Sequence, residues 1–225
     1  MVPIDQVLED EMRFLAYGDE KSTGVALFVN GAGRGETRNG TYYEGSLQEW
    51  IVAGDAALRF ADARLAAAPV IDPATVRRLP PLARPGKILC VGLHYADHTE
   101  ESGYLQPEHP TLFPRFASSL VAVGDPIVRP FVSDTLDYEG ELVAVIGQGG
   151  RHIPKASNTD HLIFDVATLV SGISEAITLE PGDISVTGTP SGIGHARTPR
   201  LYMRPGDVVE VEIESIGILR NPVVD

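Results

Sequence analysis

Two carboxylates, Glu139 and Glu141, stand two residues apart in the run Asp137, Tyr138, Glu139, Gly140, Glu141, Leu142, at the mouth of an apolar stretch from Leu142 to Ile146. A stretch of that length and character reads as a buried strand. Side chains at i and i+2 of a strand share a face, so the two carboxylates would project together with oxygens close enough to hold one hard cation. Six residues alone leave a plainer reading open, a solvated strand end carrying two charges. A second group lies in Gly92 to Glu101, directly after an apolar run ending at Val91. If it opens as a short helix, His98 and Glu101 fall at i and i+3, where a carboxylate can orient an imidazole and raise its pKa, the outline of a general-base dyad. A surface histidine beside a surface glutamate produces the same spacing. The third group, Thr187 to Gly194, is glycine-rich, but no lysine follows and no helical pattern starts there, so it fails as a phosphate loop. It could still turn backbone amides and the Thr189 hydroxyl toward a pocket.

The elements that must position these groups follow from the apolar pattern. Short strands are expected at 88 to 93, 120 to 123, 141 to 146, 184 to 187 and 208 to 213, separated by Gly and Pro clusters. Helical spacing is confined to about 95 to 101 and 159 to 177. Upstream, a strand is expected from Gly24 to Val29 and a helical stretch from about Ser46 to Ala67, where Leu47, Trp50, Ile51, Ala57, Leu58, Phe60 and Leu65 recur at helical intervals. The proline-rich connector from Leu79 to Gly86 separates the two regions. The expected organisation is α+β: a small N-terminal α/β domain at 1–80 and a β-rich domain at 81–225.

Composition excludes several function classes. At 43% hydrophobic and 22% charged, the 225 residues can bury a sizeable core, and no apolar run approaches the roughly 18 residues of a membrane span. The start has no basic flank and apolar core of a signal peptide, so a cytoplasmic location is expected, without membrane attachment. A net charge of −13 argues against nucleic acid, which demands clustered Lys and Arg. An acidic protein that handles an anionic substrate must offset its own repulsion locally, and a metal ion does so. The single cysteine, Cys90, cannot form an internal disulfide; inside Lys87 to Val91 it reads as a buried strand thiol rather than a nucleophile.

From about Pro81 to Asn221 the chain resembles the fumarylacetoacetate hydrolase family. The resemblance rests on motifs in order: Lys87 to Gly92 with Tyr95, His98 and Glu101; Leu112 and Phe113 with Ser118 and Ser119; Leu136 to Leu142; Asp165 to Val170; Leu179 to Thr189 with Pro190 and Gly192 to Gly194; and Pro205 to Glu214. It implies a β-roll catalytic domain behind a small N-terminal domain, a homodimer, and Mg²⁺, Mn²⁺ or Ca²⁺ in the site. By the same resemblance Glu139 and Glu141 correspond to metal ligands, and His98 with Glu101 to a dyad on a lid over substrate. Thr189 matches a threonine that touches a substrate carboxylate, and Phe113 and Arg115 fall where relatives line the pocket. Arg115 stands where lysine is common, and its fork can hold a second carboxylate directionally. An exposed strand arginine is the other reading of that position. His94 occupies a position where asparagine is frequent.

One departure is large. After Arg151 to Lys155 the family continues through several dozen residues that supply a third carboxylate ligand, an Asp, and an active-site Lys, whereas this chain passes almost at once to Asn158, Thr159 and Asp160. A segment is therefore expected to be missing near 156–158. The implied activity is metal-dependent hydrolysis of a carbon–carbon bond in a small anionic 2,4-dioxo acid of the acylpyruvate type, in aromatic-compound breakdown. Decarboxylation or isomerisation of an oxo-dicarboxylic acid on the same scaffold is the alternative, as is an impaired binding module should the deletion be real.

Overall fold

The computed structural model describes residues 13–18, 23–29, 32–37, 46–92, 95, 103, 105, 109–154, 165–214 and 216–225. The chain divides into two compact units, Met1–Ala83 and Arg84–Asp225. The first holds strands β1 (Arg13–Gly18), β2 (Thr23–Val29), β3 (Ala32–Thr37) and β4 (Val70–Ile71), hydrogen-bonded in chain order and antiparallel throughout. Val25, Ala26 and Leu27 of β2 are all buried, as an apolar run covered on both faces must be. β3, with the sequence AGRGET, has no such run and was not foreseen. Its place is secured by close approach: a Cβ on Gly35 would lie 2.8 Å from the Tyr17 hydroxyl oxygen, and one on Gly24 would lie 2.7 Å from Cζ of the same ring. The expected single helical stretch is two helices, α1 (Leu47–Ala53) and α2 (Asp55–Leu65). Ser46 caps the first through the Glu49 amide at 3.2 Å, and Gly54, at φ 90° and ψ −176°, ends it and begins the second. The wholly antiparallel sheet also corrects the α/β expectation for this unit.

In the second unit, β5 (Ile88–Gly92), β6 (Thr111–Arg115), β8 (Val143–Val145) and β9 (Ile184–Val186) form a mixed sheet in the order β6-β5-β9-β8, with β5 and β9 parallel. A second sheet joins β10 (Val208–Ile213), β11 (Gly217–Val224) and β7 (Ile127–Val128). Helix α3 (Val166–Ala176) starts at Asp165, whose Oδ1 accepts from the Thr168 amide at 2.6 Å and the Thr168 hydroxyl at 2.7 Å. Residues paired across strands share a face, so the register sorts the mixed sheet into two sides. Leu89, Ser185 and Ala144 form one row on the side that carries Val91 and Ile146. There Val91, Ile146, Leu169, Ile173 and Leu179 close into a core, each burial stabilising by about 1.5–3 kcal/mol. The opposite side carries two rows, Phe113, Cys90, Val186 and Val143, then Arg115, Ile88, Ile184 and Val145.

Three strand readings need correction. Residues 120 to 123 are not a strand. A 3₁₀ turn at Ala117–Ser119 precedes them, and Asn221 Nδ2 pins the following bend by donating to the carbonyls of Ala122 and Asp125, both at 2.8 Å. β6 contains Pro114 and was not foreseen; it is tolerated because β6 is an edge strand of its sheet. β11, split by Asn221 and Pro222, also escaped the pattern. Among the described residues no helix is long and apolar enough to cross a membrane.

Candidate active site

Just before the start of β8, Glu141 and Glu139 come near Arg115 and Cys90, on the face that also carries Phe113. These side chains converge. The Gly188 amide donates to Glu141 Oε2. Burial pushes the Glu141 carboxyl up to about 7; the Gly188 amide pulls it back, the neighbouring Glu139 charge pushes the same way as burial, and the Arg115 guanidinium opposes it. The Cys90 thiol is also raised, first by burial, with Arg115 opposing and Glu141 and Glu139 reinforcing. A buried thiol held in its protonated form is no nucleophile.

Arg115 is thus an exposed arginine on an edge strand and also a cation facing the acidic pair. Phe113 is half-exposed on the same strand, and Thr189, next to Gly188, is buried. His98, Glu101 and His94 lie outside the described residues. The regular strand β8 is shorter than expected, so Glu139 and Glu141 sit on the irregular segment that leads into it. What holds that segment is the Gly188–Ala196 loop. The Leu142 carbonyl accepts from the Thr187 amide at 3.1 Å and the Thr187 hydroxyl at 2.9 Å, and the Tyr138 hydroxyl donates to the Gly192 carbonyl at 3.2 Å. Asp137 Oδ1 accepts from the Gly194 amide at 2.9 Å and its Oδ2 from the His195 amide at 2.6 Å. Arg197 donates from Nε to the Gly192 carbonyl at 3.2 Å, with its guanidinium 5.9 Å from the centre of the Tyr138 ring. Sequence reasoning did not give Asp137 a role. The signal was available: an acid placed two residues before the pair, and a glycine-rich loop whose amides need acceptors.

The donor set fits a hard divalent cation. Two carboxylates are pressed together, one of them partly buried with its ionised form disfavoured, which is the charge imbalance that such a cation removes. Among the described residues no group of three or more His, Cys, Asp or Glu converges, and Glu139 and Glu141 are the two that would offer oxygens to such a cation. Magnesium is commonly held by one or two carboxylates, with water and substrate completing its shell.

Comparison with known proteins matches the C-terminal domain model of fumarylacetoacetate (FAA) hydrolase to residues 87–158 and again to 155–224. The two matches meet where the sequence departs from the family pattern. The Rattus norvegicus protein named oxaloacetate tautomerase Fahd2a, mitochondrial, is 30% identical over 249 residues, covering 80% of each chain. An alignment of 249 positions taking in 80% of a 225-residue chain leaves several dozen positions at which the rat protein has residues and this chain has none. Among solved structures, fumarylacetoacetate hydrolase from the psychrophile Exiguobacterium antarcticum superposes with a TM-score of 0.76 at 27% identity, covering 95% of this chain and 99% of that one. The 2-hydroxyhepta-2,4-diene-1,7-dioate isomerase of Mycobacterium marinum shares the fold, with a TM-score of 0.66 at 21% identity over 95% and 98% of the two chains. With an α+β fold whose β-rich unit presents paired glutamates at a sheet end, and a family model matched over most of that unit, the chain belongs to the fumarylacetoacetate hydrolase family, an enzyme superfamily of hydrolases, isomerases and tautomerases.

Proposed function

We propose that this protein is a divalent-metal-dependent hydrolase that cleaves a carbon–carbon bond in a 2,4-dioxo acid of the acylpyruvate type. The observation that carries the reading is the Glu139–Glu141 pair set against Arg115, a cation site beside a carboxylate-binding fork on one sheet face. Glu139 and Glu141 would hold the ion, which when bound supplies Lewis-acid polarisation of the oxo-acid oxygens. Arg115 pairs through two parallel N–H groups with a substrate carboxylate, fixing its direction. The Thr189 hydroxyl, on the loop tied to Glu141 by the Gly188 amide, orients the other end of the substrate. By the family resemblance His98, with Glu101 as its partner, would take a proton from water; the water oxygen bonds to the distal carbonyl carbon, the adjacent carbon–carbon bond breaks, and the departing carbon takes a proton. Phe113, two residues before Arg115 on β6, would line the pocket, as the resemblance implies.

A second reading, tautomerisation of an oxo-dicarboxylic acid, is favoured by the rat relative's name and by the suitability of Arg115 for a second carboxylate. It needs proton transfer between carbon and oxygen without attack by water. Incubation with acetylpyruvate and with oxaloacetate, each with Mg²⁺ or with EDTA, separates the two. Acetate with pyruvate supports hydrolysis, and accelerated enol–keto exchange of oxaloacetate without loss of carbon supports the tautomerase. Turnover unaffected by EDTA sinks both.

A further inference from the structure

The pairing of β8 with β9 does not stop where the strands end. Val143 faces Val186, and the Leu142 carbonyl takes the Thr187 amide. Beyond that point side chains take over from the backbone of this strand in the same antiparallel order: Glu141 takes the Gly188 amide, Tyr138 donates to the Gly192 carbonyl, and Asp137 takes the Gly194 and His195 amides. A regular ladder is barred here, since Pro190 has no amide to donate, and Gly188 and Gly192 stand at φ 97° and 109°. The 3₁₀ turn at Gly194–Ala196 then opens with unpaired amides that need acceptors.

We infer that Asp137 is a positioning residue, whose carboxylate clamps the Gly188–Ala196 loop so that Thr189 and the Gly188 amide face the Glu139–Glu141 pair. Both carboxylate oxygens are engaged. Oδ1 accepts from both the Tyr138 and Gly194 amides at 2.9 Å, and Oδ2 from the His195 amide at 2.6 Å. The approach also requires a glycine, because a Cβ on residue 194 would lie 2.6 Å from Asp137 Oδ1. An acid-to-amide bond of this kind is among the stronger hydrogen bonds, and two of these three reach across 57 and 58 residues of chain. Only the effect on substrate rests on the functional reading above; the clamp itself is a matter of geometry.

Asp137→Asn tests it, because the amide group turns one acceptor into a donor facing an N–H. Hydrogen exchange at Gly194 and His195 is expected to speed up by about tenfold or more relative to wild type. Calorimetric affinity for Mg²⁺ alone is expected to stay within about twofold, since both glutamates remain. In turnover, KM for the oxo acid is expected to rise by about tenfold with kcat changed much less, the mark of lost substrate orientation. Unchanged exchange at Gly194 and His195 in this variant overturns the clamp, whatever the activity. A wild type inactive on every oxo acid overturns the functional reading and leaves the exchange result to decide the clamp. If Asp137→Asn does not fold, wild-type exchange decides: protection of both amides by about 100-fold over the free chain supports the clamp, and free-chain rates overturn it.

Discussion

Glu141 lies against Glu139 with the Gly188 amide bonded to its Oε2, at the point where β8 and β9 cease to pair as strands. The amide and Arg115 together do not offset burial, and the carboxyl stays raised to about 7. A carboxyl raised on folding stabilises the folded state below its ordinary value of 4.5 and loses that contribution as pH climbs to about 7. Glu141→Gln in EDTA is therefore expected to gain melting temperature over wild type at pH 8 and to show little gain at pH 4. Added Mg²⁺ should stabilise wild type at pH 8 and leave the variant unmoved. Thermal scans at the two pH values check both statements.

Removing the ligand altogether separates chemistry from fold. Glu141→Ala is expected to abolish metal-dependent turnover while circular dichroism stays close to wild type, because a partly exposed acid is lost and no core volume with it. Wild-type activity in this variant would refute the site.

Arg115 gives a graded test of substrate charge. A charge-assisted hydrogen bond contributes about 1.5–3 kcal/mol, so Arg115→Ala is expected to raise KM by about 10- to 100-fold. Arg115→Lys should recover only part of the loss, since a point charge cannot reproduce two parallel bonds. Equal KM values for all three proteins would remove Arg115 from the substrate site.

Lys87, just before β5, binds Asp183 Oδ2 at 2.8 Å and Glu180 at 2.6 Å, joining the entrances of β5 and β9. Asp183 is 1% exposed, so Lys87→Ala strands a buried charge and is expected to cost about 2–3 kcal/mol, less than a fully buried pair because Lys87 is itself 27% exposed. Its hydrogen bonds to Asp183 and Glu180 raise the Lys87 pKa against a smaller desolvation effect. The stabilisation is then fully present below 10.5 and fades as pH rises through the higher folded value. Urea titrations at pH 8 and at strongly alkaline pH measure both effects.

The edge of β8 bears on the length of the native polypeptide. Val143 and Val145 are 43% and 44% exposed on a strand that, among the described residues, is paired on one side, and the rat relative has several dozen more residues than this chain over the aligned span. An apolar free edge is a liability that proteins cover. The intact mass is accordingly expected to exceed the 24.1 kDa of the 225-residue chain. A mass of 24.1 kDa would make the deletion real and move a weak-metal binding module ahead of the hydrolase.

Local information was enough for a good part of this protein. The apolar runs of β5, β9 and β10, the helical spacing that became α3, and the i, i+2 spacing of Glu139 and Glu141 are all written in neighbouring residues. So is the strand role of Cys90. Other features were decided by residues distant in sequence. β6 exists because β5 offers an edge that accepts Pro114; β3 lies where Tyr17 meets two glycines; the bend at Ala122 is held by Asn221, 99 residues away. Asp137 looked like one more acid before a strand until the loop brought the Gly194 and His195 amides to it. Periodicity reports which face of an element avoids water, and that is a property of adjacent residues. Which buried amide meets which acceptor depends on chain closure over dozens of residues, and no local pattern carries it.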